Sequence, residues 1–129
     1  MTIYLVRHAK AGKRSEWHDE DDLRPLSDTG WKQAELLAES LFKLKVTKLI
    51  SSPATRCFQT LEPLAKKTKL RVEIDKRLYE HGDVADMLEI AEEVEDSTVL
   101  SSHGDMIPEL IKTLERRGMK IESKPDWRK

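Results

Sequence analysis

The sequence predicts an α/β protein: a three-layer sandwich with a mostly parallel central sheet and helices on both faces. Three observations carry this. Apolar runs at Ile3-Tyr4-Leu5-Val6, Lys48-Leu49-Ile50 and Thr98-Val99-Leu100 read as strands, the first of them buried on both faces. Helical patterns separate the runs, so the connections suit parallel, right-handed crossovers. Each run also stops at small or charged residues: Arg7-His8, Ser51-Ser52-Pro53 with Arg56 close behind, and Ser101-Ser102-His103-Gly104. Ligands of open parallel sheets bind beyond the carboxyl ends of the strands. Two histidines and two arginines at three strand ends are what a tetrahedral oxyanion, phosphate above all, requires.

The elements follow in order. After the first strand, Ala9 to Ser15 is a basic loop and Glu16 to Asp22 an acidic one, long enough together to expect a functional role. The acidic run lacks the alternating ligands and glycine of a calcium loop. It reads chiefly as a solvated surface, with substrate selection near an anion pocket as the sharper use. Ser27-Asp28-Thr29-Gly30 is capping chemistry for a helix from Asp28 to Lys45, whose Trp31, Ala34, Leu37, Ala38, Leu41 and Phe42 form an apolar stripe. A second helix begins near Ala54 with Arg56 in its first turn, where the helix start itself favours an anion; Pro63 should kink or split it. Arg71 to Ile74 alternates like a strand near an edge. Arg77 to Gly82 is a turn, Asp83 caps a helix through Leu88 and Ala91, and Asp105 caps a last helix through Leu114 that stops at Arg116-Arg117-Gly118. The tail from Met119 carries no assigned element.

Composition narrows the function classes. A chain of 129 residues with 38% hydrophobic and 36% charged residues fits one domain with a charged surface. A formal net charge of -1 argues against nucleic-acid polymers as partners, and no apolar run approaches a membrane span, so a cytoplasmic protein is expected. Cys57 stands alone, which rules out an internal disulfide. A thiolate phosphatase needs an arginine six residues after its cysteine; Pro63 stands there instead. Gly12-Lys13 is followed by Arg14 and lacks the glycine five residues earlier that a nucleotide-triphosphate loop needs. His18 and His81 read as structural or surface residues.

Taken together, Arg7-His8 after a strand, Arg24-Pro25-Leu26-Ser27-Asp28-Thr29-Gly30 before a helix carrying Gln33-Ala34, Ser51-Ser52-Pro53 with Arg56 and Gln59-Thr60, and Ser102-His103-Gly104 resemble the histidine phosphatase superfamily, the phosphoglycerate-mutase-like fold. The likeness runs from Thr2 to about Leu114, in the family's order. It is nearest to the small phosphohistidine phosphatase type and to the phosphatase half of some Nudix-phosphatase fusions. The resemblance implies a single histidine phosphatase domain over residues 1–129. The family generally carries a further strand after the last helix, and none is evident here, so either the chain as given is incomplete, or the tail from Met119 itself pairs, or a sheet edge is open to a partner. The resemblance also implies a metal-independent phosphatase, without cofactor, that passes through a phosphohistidine on His8. Arg7 and Arg56 would grip the phosphoryl oxygens, His103 would donate to one of them, and Lys10 would join in binding substrate. Glu80 is the family-like match for the acid that protonates an ester leaving group. The substrate would be a phosphohistidine protein, a nucleotide or a small phosphorylated metabolite. So little inserted sequence disfavours a mutase. Two other classes remain on the residues alone: a non-catalytic phospholigand-binding module, and a metal-dependent hydrolase using the histidines and the acidic loop.

Overall fold

Two rows of apolar side chains, on opposite faces of one sheet, organise the molecule. The computed structural model describes residues 3–78, 84–94, 96–103, 107 and 112. In chain order the elements are β1 (Ile3–Arg7), α1 (Asp28–Phe42), β2 (Lys48–Ser51), α2 (Thr55–Thr68), β3 (Val72–Ile74), α3 (Val84–Glu93) and β4 (Thr98–Ser102). The four strands form one sheet in the order β1-β4-β2-β3, and every pairing is parallel. Alternation along the strands sorts their side chains. Val6, Leu49 and Val99 pack with Leu37, Ala38 and Leu41 of α1 and Leu61 and Leu64 of α2. Ile50 and Leu100 face the other way, onto Ile90 of α3, Val94 and Leu78. The predicted three layers are therefore present.

The sheet corrects one expectation. β1 pairs only with β4 among the described residues, and only Val6 along it is buried. The strand enclosed on both faces is β4, buried at all five positions. β3 lies at the other edge, as its one-sided pattern predicted, with Ile74 half exposed. The register sets Arg7 level with Ser102, and Ser51 level with Ser101, so the carboxyl ends of β1, β4 and β2 finish together.

The helices also refine the prediction. α1 starts as its caps dictate: the Ser27 hydroxyl accepts from the Gly30 amide at 3.1 Å. It stops at Phe42 rather than Lys45, because the chain must turn to bury Val46 before β2, and Lys45 takes a left-handed conformation with φ of 54°. α2 runs unbroken through Pro63. The carbonyl that loses its helical partner there belongs to Gln59, four residues before the proline. The turn through Gly82, the Asp83 cap and most of the helix from Asp105 to Leu114 lie outside the described residues. Ile107 and Lys112 are helical, and the Ile107 amide donates to the His103 carbonyl at 3.3 Å.

Candidate active site

Small hydroxyl residues close the strand ends and hold what surrounds them. A buried hydroxyl needs an acceptor of its own, and backbone carbonyls supply one here. The Ser101 hydroxyl donates to the Cys57 carbonyl at 3.0 Å and so fixes the first turn of α2. The Ser102 hydroxyl donates to the Leu78 carbonyl at 2.6 Å, and Ser51 donates to the Ser52 carbonyl at 2.8 Å. The loops around the site are thereby tied to the sheet.

His8 follows β1 and extends its ladder, its amide donating to the Ser102 carbonyl at 3.0 Å. Nδ1 of the ring lies 2.8 Å from the Ala9 carbonyl. A carbonyl can only accept, so Nδ1 carries the hydrogen, and in the neutral ring Nε2 keeps its lone pair. Burial lowers the pKa of the imidazole below its ordinary value, and the charges of Arg56, Arg7 and Arg24 push the same way, while the Ala9 carbonyl pulls it back up. The backbone here is anchored from α2. The Ala9 amide donates to the Thr60 hydroxyl at 2.9 Å, which in turn donates to the Arg56 carbonyl at 2.7 Å.

His103 stands at the end of the neighbouring strand, 2% exposed. Its ring centroid is 5.7 Å from that of His8, with the planes inclined at 70°. Nε2 lies 2.9 Å from the Ser52 hydroxyl and 3.6 Å from the Cys57 sulfur. The fully buried Cys57 packs as a small apolar residue, and its surroundings include a site histidine.

Arg56 is 1% exposed in the first turn of α2. An unpaired charge cannot be buried so deeply without large cost. Its two terminal nitrogens meet Asp21, one donating to the backbone carbonyl at 2.8 Å and the other to the carboxylate at 3.2 Å. Arg24 donates from Nε to the second carboxylate oxygen of Asp21 at 3.0 Å and from a terminal nitrogen to the Gly12 carbonyl at 2.6 Å. In the acidic loop, Glu16, Asp19 and Glu20 are exposed as a solvated surface predicts, whereas Asp21 turns inward.

The predicted site residues thus divide. His8, His103 and Arg56 come together; Arg7, at the end of β1, is near enough for its charge to act on the His8 ring. The Lys10 side chain is exposed, and it is the main chain of Lys10 that is engaged. Its amide donates to the Gln33 side chain at 2.9 Å, and its carbonyl accepts from the Ser27 amide and hydroxyl at 3.0 and 3.1 Å. Glu80 lies outside the described residues. Ser52 and Thr60, which stand within motifs, and Asp21 and Arg24, which stand within the acidic run and a motif, carry no individual role in the sequence reading. For the last two the spacing held a signal, because residues three apart on a 3-10 turn share a face. Among the described residues, no group of three or more His, Cys, Asp or Glu side chains is placed to hold a metal ion.

A parallel sheet whose aligned strand ends bring imidazoles and guanidiniums together defines a class of anion-handling α/β proteins, and sequence comparison narrows it. The family model described as histidine phosphatase superfamily (branch 1) matches residues 3–117. The chain belongs to that superfamily. It is 36% identical over 117 residues to an 8-oxo-(d)GTP phosphatase of Mycolicibacterium smegmatis, a match covering 85% of this chain and 36% of that protein. It is also 36% identical over 95 residues to phosphoserine phosphatase 1 of Hydrogenobacter thermophilus, covering 68% of this chain and 43% of that one. It therefore spans well under half the length of these two relatives. Among solved structures, the protein histidine phosphatase SixA complexed with tungstate superposes with a TM-score of 0.72 at 27% identity, over 86% of this chain and 74% of that one.

Proposed function

We propose that this chain is a metal-independent phosphatase working through a phosphohistidine formed on His8. The observation that carries the proposal is the 2.8 Å contact from Nδ1 of His8 to the Ala9 carbonyl. It leaves Nε2 as the nucleophilic atom, and burial among guanidiniums favours the neutral, nucleophilic ring.

In the first step the Nε2 lone pair attacks phosphorus in line. The P–N bond forms as the bond to the leaving group breaks, and the leaving oxygen or nitrogen takes a proton. The ring becomes cationic, and its Nδ1 hydrogen bond to Ala9 strengthens as it does. Arg7 and Arg56 neutralise charge on the equatorial oxygens, which is most of what a protein can contribute to phosphoryl transfer. His103, whose ring lies 5.7 Å from that of His8, donates to a further oxygen. In the second step water attacks phosphorus, the P–N bond breaks, Nε2 recovers its lone pair and phosphate leaves. Glu80 is assigned on sequence as the acid for an ester leaving group. An imidazole leaving group needs less help.

The substrate we propose is a phosphohistidine protein or a small phosphorylated molecule such as a nucleotide. The SixA likeness supports the first and the 8-oxo-(d)GTP phosphatase likeness the second. The test is turnover of an aryl phosphate, a phosphohistidine peptide and nucleoside diphosphates in the presence of chelator, with His8→Ala as control. Undiminished turnover in chelator supports the proposal. Loss of turnover that a divalent ion restores would replace it with a metal-dependent mechanism.

A further inference from the structure

The acidic loop carries one residue whose surroundings differ from those of its neighbours. Asp21 offers Arg56 two acceptors, its backbone carbonyl at 2.8 Å and one carboxylate oxygen at 3.2 Å, and these engage different terminal nitrogens of the guanidinium. Two contacts on two nitrogens fix the rotation of the planar fork as well as its position. Asp21 is itself held. Its other carboxylate oxygen accepts from Nε of Arg24 at 3.0 Å, its carbonyl accepts from the Arg24 amide at 3.1 Å, and Arg24 reaches the Gly12 carbonyl at 2.6 Å. A continuous set of polar contacts thus runs from the base of the long loop, through Arg24 and Asp21, to Arg56.

We propose that Asp21 is a positioning residue for the phosphoryl-gripping fork of Arg56, and that Arg24 holds Asp21 in place for that task. The inference rests on the phosphatase reading given above. It assigns a catalytic use to one member of the acidic run, whose other described acidic residues face solvent.

Two physical roles for Asp21 make opposite predictions. A carboxylate acting only as a charge screen weakens anion binding, so removing it would tighten phosphate binding and leave or raise the rate. A carboxylate acting as a brace gives up some ground-state attraction in return for orientation at the transition state. Its removal then lowers kcat while affinity for phosphate stays level or improves. Misplacement of a catalytic group by about 1 Å is enough to cost on the order of a hundredfold in rate.

The experiment uses the full chain and an aryl phosphate, with inorganic phosphate as the competitive probe, in Asp21→Ala, Asp21→Asn, Asp21→Glu, Arg24→Ala and the Asp21→Ala/Arg24→Ala pair. We expect Asp21→Ala to lower kcat by about ten- to a hundredfold with KM and the phosphate inhibition constant unchanged or lower. Asp21→Glu should restore part of the loss. The loss in the double variant should fall well short of the product of the two single losses, since both residues share the Asp21–Arg24 contact while Arg24 also serves the Gly12 carbonyl. Asp21→Asn keeps the shape and the backbone acceptor, and carries the same test if the alanine variant fails to fold. A kcat at or above the wild-type value in Asp21→Ala or Asp21→Asn overturns the proposal. Losses that multiply in the double variant overturn the part given to Arg24. A wild-type chain that turns over no phosphorylated substrate defeats the phosphatase reading itself, which is a different result from an active wild type with indifferent Asp21 variants.

Discussion

Gly30 lies away from the reacting atoms, yet replacing it with alanine should damage both stability and catalysis. A Cβ built on Gly30 would stand 1.9 Å from the Lys10 carbonyl oxygen, 2.9 Å from its carbon and 3.2 Å from Cβ of Leu26. Ordinary contact begins at 3.4 Å, so the carbonyl must retreat by roughly 1.5 Å in an interior that has little slack. That oxygen accepts from the Ser27 amide at 3.0 Å and from its hydroxyl at 3.1 Å, and the move carries it out of reach of both. Two lost hydrogen bonds at about 1 kcal/mol each, with strain added, give a destabilisation of roughly 2–4 kcal/mol. For a chain of this size that is a fall of roughly 10 °C in Tm. The shift also passes to the adjoining Ala9 carbonyl, which fixes the His8 ring. A displacement of about 1 Å there should cost about a hundredfold in kcat. Thermal melting, together with turnover per folded molecule on an aryl phosphate, tests both halves. Wild-type Tm and wild-type kcat in Gly30→Ala would refute the packing argument and the coupling of this loop to the nucleophile.

Three other outcomes follow from the geometry. Ser52→Ala removes the hydroxyl 2.9 Å from Nε2 of His103, and should lower kcat about tenfold and displace the pH–rate profile, with Ser52→Thr recovering most of the loss; an unmoved profile would leave Ser52 a packing role only. The folded His8 pKa lies below the ordinary imidazole value of 6.5, and the neutral ring is the reactive form. The acid limb of kcat/KM should therefore fall below pH 6.5, and a limb above it would contradict the cause assigned. Glu80→Gln should slow an aryl ester far more than a phosphohistidine peptide, whereas equal slowing would remove Glu80 from the acid role.

Much of this was legible because parallel strands announce themselves as apolar runs and their carboxyl ends collect ligand-facing residues. Arg7, His8, Arg56 and His103 all stand at such ends or just beyond them. What local pattern cannot supply is the order of strands. Ile3 to Val6 looks as enclosed as Thr98 to Leu100, and only the pairing shows that β4 is central and β1 an edge among the described strands. The end of α1 was overrun because Lys43 to Lys45 are acceptable helix formers, and the demand to turn and bury Val46 comes from the sheet. Asp21 was hidden for a related reason. Charge alone does not reveal which of several adjacent acids turns inward, since its partner lies 35 residues away on another element. The resemblance offers Lys10 as a substrate contact, and what the structure engages are its peptide groups.

The account depends on covalent chemistry at one atom. Single-turnover reaction with excess enzyme and a phosphorylated substrate, quenched in alkaline denaturant and mapped by mass spectrometry, should find one phosphoryl group on the peptide containing His8. It should form and decay at rates compatible with kcat, in chelator, and be absent in His8→Ala. Turnover with no phosphoryl group on His8 at any time, or full activity in His8→Ala, would contradict the mechanism.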